Sequence, residues 1–128
     1  MSKILSAGSV KIGGDNPLVL IAGPCAIESL EHTLRMARAL REIAERVGVS
    51  LVFKASYDKA NRTSVKSYRG PGIVEGLKIL QAVKEETGLP VISDVHDVTQ
   101  VKAAAEVLDI MQIPAFLSRQ TDLLVAVG

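Results

Sequence analysis

A chain of 128 residues, 48% hydrophobic and 23% charged, is long enough to bury a core as one globular domain and too apolar for a disordered tail. Fifteen Lys and Arg against fourteen Asp and Glu leave a net charge of +1, and two Tyr and two Phe are the only aromatic residues; this excludes the basic, aromatic-rich face of a nucleic-acid binder. No run of about 18 apolar residues suggests a membrane span, and the N-terminus lacks the basic region and apolar core of a signal sequence, so a cytoplasmic location is expected.

The first expected element is a hairpin over about residues 10–18, in which Val10-Lys11-Ile12, the turn Gly13-Gly14-Asp15 and the start of a longer strand follow one another. The run Leu18-Val19-Leu20-Ile21-Ala22 is nearly continuous in apolar character, as in a parallel strand buried on both faces. Leu30, Leu34, Ala37, Leu40, Ile43, Ala44 and Val47 then recur mostly at steps of three or four, which predicts a helix stopped by Gly48. Glu28 and Ser29 suit its N-terminus, and His32 reads as a solvated residue of its first turn. Leu51-Val52-Phe53 is the second strand. A second helix begins after Pro71-Gly72, presents Ile73, Leu77, Leu80 and Val83, and ends at Gly88 and Pro90. Val91-Ile92-Ser93 is the third strand, followed by a helix carrying Val101, Ala104, Ala105 and Leu108. Asp97 and Gln100 form a candidate capping box at its start, with Thr99 as a rival cap. Ile110-Met111-Gln112-Ile113 is the fourth strand, and a fourth helix opens near Gln120 or Thr121 with Leu123, Leu124 and Val125.

This α/β rhythm fits two architectures. Four βα units make half of an eight-unit barrel of about 250 residues, whereas an open doubly wound sheet is complete at this length. The sequence ends at Ala126-Val127-Gly128, inside the fourth helix with an apolar face unpaired. That favours the N-terminal half of a (β/α)8 TIM barrel preceded by a short β-hairpin, with residues 1–128 forming one partial domain.

In either architecture functional groups gather at the carboxyl ends of the strands, and here each such end is polar. Residues 54–69 carry Lys54, Lys59, Arg62, Lys66 and Arg69. Five cations in one strand-to-helix connection, on a chain of balanced charge, suit a phosphate or carboxylate, because Arg chelates such groups bidentately and Lys acts as a mobile point charge. The sole cysteine, Cys25, follows the first long strand and cannot form an internal disulfide; it is a buried thiol, a reactive thiol or a metal ligand.

Five motifs occur in order: Ala22-Gly23-Pro24-Cys25-Ala26-Ile27-Glu28-Ser29, the block of residues 54–64, Ser67-Tyr68-Arg69-Gly70-Pro71-Gly72, Ser93-Asp94-Val95-His96, and residues 112–122. Together they closely resemble the 3-deoxy-D-manno-octulosonate 8-phosphate synthase family over its amino-terminal half. The sister family, 3-deoxy-D-arabino-heptulosonate 7-phosphate synthase, which uses erythrose 4-phosphate, typically has Lys-Pro-Arg-Thr-Ser where this chain has Lys59-Ala60-Asn61-Arg62-Thr63-Ser64. A non-catalytic anion-binding half-barrel is the alternative of another class.

The resemblance implies an aldol-type condensation of phosphoenolpyruvate with arabinose 5-phosphate and water, giving the eight-carbon sugar acid phosphate for the lipopolysaccharide core and inorganic phosphate. Lys54 and Lys59 would neutralise phosphoenolpyruvate and fix the reactants face to face. Asn61, Arg62 and Thr63 would hold the acceptor, and Asp94 and Gln112 would line the floor, with Lys54, Lys59, Asn61 and Asp94 as the catalytic set. Ser56 and Phe116 complete the substrate-binding set. Arg119 matches an arginine that family enzymes lend across a subunit boundary, which implies a homo-oligomer, expected as a tetramer. Cys25 matches the cysteine of the class using a divalent metal, with zinc or ferrous iron suiting a thiolate and manganese an alternative. The remaining ligands of that class lie beyond residue 128. His96 is expected to lend hydrogen-bonding support rather than to bind metal.

Overall fold

The computed structural model describes residues 3–128. The chain opens on an antiparallel ribbon of β1 (Leu5–Ala7) and β2 (Val10–Ile12), with Leu5 opposite Ile12 and Ala7 opposite Val10. Its two-residue turn is Gly8-Ser9, so the hairpin lies upstream of the expected residues 10–18. Gly8 at φ 55° supplies the positive φ that a tight hairpin turn needs at its first central position. The Gly13-Gly14 segment instead links the ribbon to the sheet, and Asn16 folds back on it through Nδ2, which donates to Gly13 O at 2.7 Å.

Four strands, β3 (Val19–Ala22), β4 (Ser50–Lys54), β5 (Val91–Asp94) and β6 (Ile110–Gln112), form one parallel sheet in the order β3-β4-β5-β6. A doubly wound sheet reverses its strand order at a switch point, whereas this sheet adds each strand beside the last, as a (β/α)8 barrel does. Helices α1 (Leu30–Val47), α2 (Ile73–Thr87), α3 (Val98–Val107) and α4 (Thr121–Val127) alternate with the strands and pack in a row, each on the next. The architecture is that of half a TIM barrel with an added ribbon. Neither β3 nor β6 has a second strand partner among the described residues.

Alternation along the strands divides the sheet into two faces. Phe53, Ala55, Tyr57, Val91 and Val95 pack outward against Leu77, Leu80 and Val83 of α2 and Val101 and Ala104 of α3. Phe53 and Tyr57 are fully enclosed, and burial of a side chain of that size stabilises by about 2 kcal/mol. Val52 and Ile92 point the other way and pack with Val10, Ile12, Val19 and Ile110. The ribbon therefore plugs the lower end of the concave face, with Gly8 against Pro90 and Asp109 where β5 and β6 begin. By the same alternation Lys54, Ser56, Asp94 and Gln112 continue that face upward, where it turns polar.

Helix α1 departs in part from its periodicity. Ala37 and Ala44 are buried and Leu34 and Leu40 pack on the core, but Ile43 and Val47 stay exposed. Among the described helices only α2 flanks α1, so one side of its apolar stripe has no cover.

Candidate functional site

Close backbone approach builds the rim. At Gly23 a Cβ would lie 1.7 Å from Lys54 O, so the strand end can enter the turn to Cys25 only with no side chain. Beyond it the two chains stay paired, Ala26 bridging to Ser56 and Ile27 N donating to Ser56 O at 2.9 Å. This carries Cys25 onto the same rim as Ser56. Across β5 and β6, Asp94 and Gln112 are register partners and stand side by side.

Lys59, Ala60, Asn61, Asp94, His96, Gln112, Pro114, Ala115 and Phe116 enclose a polar cleft of about 170 Å³. It joins Lys59, Asn61, Asp94, Gln112 and Phe116 from the expected set, with His96 added. A larger groove of about 380 Å³ lies on the outer surface between α2 and α3, lined by residues such as Leu77, Ala82 and Val107; it sits at helix flanks away from the strand ends and holds none of these groups.

Asp94 is the electrostatic centre of the cleft. Ser56 Oγ donates to its Oδ1, and His96 Nε2 lies 2.8 Å from its Oδ2. Burial opposes ionisation, but hydrogen bonds from His96, Ser56 and the Asp94 backbone N–H outweigh it, with the His96 charge adding to them, and bring the carboxyl down to about 2. Asp94 is thus a fixed anion at neutral pH. Ser56 is completely buried and stands behind this carboxylate.

His96 rests edge-on against Tyr57, with ring centroids 6.0 Å apart and planes at 84°. The Tyr57 hydroxyl donates to Gln100 Oε1 at 2.8 Å. Burial, then the charges of Asp94 and Asp58, raise the phenol well above its ordinary pKa, so it stays a donor. Asp97 rather than Thr99 caps α3, accepting from Thr99 N at 2.8 Å. Gln100 reaches back not to Asp97 N, as a capping box would, but to His96 N at 3.1 Å. Sequence patterning placed Gln100 at a helix start; its link to the site is visible only once α3 is seen against β4 and β5.

The cations divide. Lys54 and Lys59 are partly buried and have no carboxylate partner among the described residues, which leaves their charge for an anion. Arg69, counted in the anion cradle by its sequence position, is committed elsewhere: its guanidinium grips both oxygens of Asp58 at 2.6 and 3.1 Å. Arg62 folds onto its own loop, donating to Lys59 O at 3.3 Å and to Ala60 O and Val65 O at 3.5 Å. Thr63 and Arg119 are exposed and do not line the cleft, and Lys54 lies outside its lining. Tyr68 ties the long loop down, its hydroxyl donating to Ile27 O at 2.9 Å. His32 is partly buried, with Nδ1 enclosed and unpartnered, rather than solvated.

Cys25 is an exposed thiol. Among the described residues no three His, Cys, Asp or Glu side chains gather as a metal site. This stretch therefore offers a single soft donor, short of the four ligands of a structural zinc centre or the three of a catalytic one. No helix among the described residues is long and apolar enough to cross a membrane.

The profile of the DAHP synthetase I family matches residues 2–128. A protein of Geobacter sulfurreducens named 2-dehydro-3-deoxyphosphooctonate aldolase is 68% identical over all 128 residues, which make up 47% of its length. Proteins of the same name from Syntrophotalea carbinolica and Citrifermentans bemidjiense are 61% and 62% identical over the whole chain, covering 46% and 47% of their lengths. The chain thus spans about half the length of the curated relatives it matches.

Proposed function

The chain belongs to the DAHP synthetase I family, and on that premise we propose that it forms one half of a synthase condensing phosphoenolpyruvate with arabinose 5-phosphate and water to 3-deoxy-D-manno-octulosonate 8-phosphate and phosphate. The observation that carries this reading is the meeting of Lys59, Asn61, Asp94, Gln112 and Phe116 in one polar cleft at the strand ends, in a chain whose relatives bear the octonate aldolase name. The Lys59-Ala60-Asn61 sequence favours the five-carbon acceptor over erythrose 4-phosphate.

In this reading Lys54 and Lys59 neutralise the carboxylate and phosphate of phosphoenolpyruvate at the rim. Its C3 then bonds to the aldehyde carbon, and C2, gaining cationic character, accepts water before phosphate departs. Asp94, ionised and held from two sides, favours positive charge developing at C2, and being fixed in place it needs no reorganisation as that charge appears. Gln112 orients the bound enol phosphate beside it. Asn61 hydrogen-bonds acceptor hydroxyls, Arg62 and Thr63 turn from the loop onto its phosphate, and Phe116 shields the sugar chain from water. Arg119 reaches the acceptor phosphate of a neighbouring subunit in a tetramer. Cys25 is the ligand this half offers to zinc or ferrous iron, with manganese an alternative; such an ion, when bound, would polarise the aldehyde or a water.

The test measures phosphate release by the whole polypeptide that contains these residues, with phosphoenolpyruvate and either arabinose 5-phosphate or erythrose 4-phosphate. Turnover with the five-carbon sugar is expected. Turnover with erythrose 4-phosphate alone overturns the acceptor, and none with either sugar overturns the reaction.

A further inference from the structure

Gln100 has no place in the set of substrate contacts, yet its side-chain oxygen stands at a junction. Oε1 accepts from His96 N at 3.1 Å and from the Tyr57 hydroxyl at 2.8 Å. The His96 N–H can only donate, so the atom facing it must be the carbonyl oxygen of the amide, and the orientation of Gln100 is fixed by chemistry. Two further contacts define the imidazole: Nε2 meets Asp94 Oδ2 at 2.8 Å, and the ring lies edge-on against Tyr57. Tyr57 is itself tightly packed. It is fully buried, and a Cβ on Gly76 of α2 would come within 2.2 Å of its Cβ.

We infer that Gln100 is a positioning residue, which through one oxygen locks the His96 backbone to the Tyr57 hydroxyl and so aims the imidazole at Asp94. Helix α3 thereby sets the geometry of a cleft that it does not line. A Glu or Gln at the third helical position usually reaches back to its own helix cap; here that reach is spent one residue further back, on the backbone of a cleft residue. Displacement of a polar group by about 1 Å is enough to cost a large factor in rate. The kinetic half of this inference rests on the synthase reading; the spectroscopic half does not.

Three variants test it. Gln100→Leu removes the acceptor, Gln100→Glu keeps an oxygen there, and Tyr57→Phe removes one donor while preserving the ring. In the whole polypeptide, Gln100→Leu is expected to lower kcat at least ~10-fold while KM for phosphoenolpyruvate stays within ~2-fold, and Tyr57→Phe to lower kcat ~3-fold. In the same whole polypeptide, the His96 ring signals are assigned by their loss in His96→Gln. The Nε2-bound proton of His96 should exchange with water at least ~10-fold faster in Gln100→Leu than in the wild type, with Gln100→Glu restoring slow exchange. Unchanged exchange and kcat in Gln100→Leu, or equal damage from Gln100→Glu, overturns the inference. A wild-type polypeptide inactive on both substrates defeats the synthase reading alone, and the ring-proton comparison still decides the role of Gln100.

Discussion

Asp94 Oδ2 and His96 Nε2 lie 2.8 Å apart at the upper end of β5, and each side chain is 9% exposed. The pair occupies alternate positions of one strand end, so both point to the concave face without any distortion of the backbone. Ser56 closes the other side of the carboxylate from β4, which couples two strands through one charge.

That coupling has a pH signature. The folded-state value of Asp94 is lowered from 3.8 to about 2, so the unfolded chain binds more protons between those values and stability rises with pH there. The contribution, about 2 kcal/mol, is complete above the unfolded value near 4 and is lost as pH falls through about 2. Urea unfolding between pH 2 and 5 should show this slope, and Asp94→Asn should flatten it. An equal slope in the variant would show that other carboxylates carry the acid sensitivity.

Lys59 and Arg69 belong to the same loop but should respond differently. Lys59→Ala removes a charge lining the cleft and should raise KM for phosphoenolpyruvate at least ~10-fold, in keeping with about 1.5–3 kcal/mol for a hydrogen bond to a charged group. Arg69→Ala breaks the exposed bridge to Asp58 and should raise it no more than ~3-fold, while protease cleavage within residues 58–70 accelerates. Steady-state kinetics and limited proteolysis separate the two.

Gly23→Ala should be among the most damaging single-methyl changes in the chain. The added carbon would sit 1.7 Å from Lys54 O, which is backbone and cannot rotate aside. The expected loss is about 3 kcal/mol or more, at or above the upper end of overpacking costs, read as a lower urea midpoint. A midpoint within ~0.2 M of the wild type, small against a slope of about 1–3 kcal/mol per molar, would contradict the close approach of β3 to β4.

Metal removal tests Cys25. Chelation of the whole polypeptide should abolish turnover, and zinc, ferrous or manganous ion should restore it. Titration of that polypeptide with cobalt should give a thiolate charge-transfer band absent from Cys25→Ser. Full turnover after verified metal removal would rule out the metal-dependent class.

Much of this was legible beforehand because the signals were local and redundant. Gly48 and Gly88 end α1 and α2 in left-handed conformations as their positions implied, and the strand runs fell where the sheet has them. The turn of the ribbon was misplaced because Gly13-Gly14 is the louder glycine signal, whereas Gly8-Ser9 turns between two strands of only three residues each. The cleft was legible as a group of strand ends, since Asp94 and Gln112 close βα units in sequence. Arg69 was not, because its partner Asp58 stands eleven positions earlier and only the folded loop brings them together. Gln100 was hidden for a stronger reason: its two bonds reach the backbone of one element and the side chain of another, and no periodicity encodes such a meeting.

The ribbon that packs Val10 and Ile12 on Val52, Ile92 and Ile110 has a consequence for traffic. It covers the apolar lower end of the concave face, so traffic to Lys59, Asp94 and Gln112 does not pass between the starting ends of the strands.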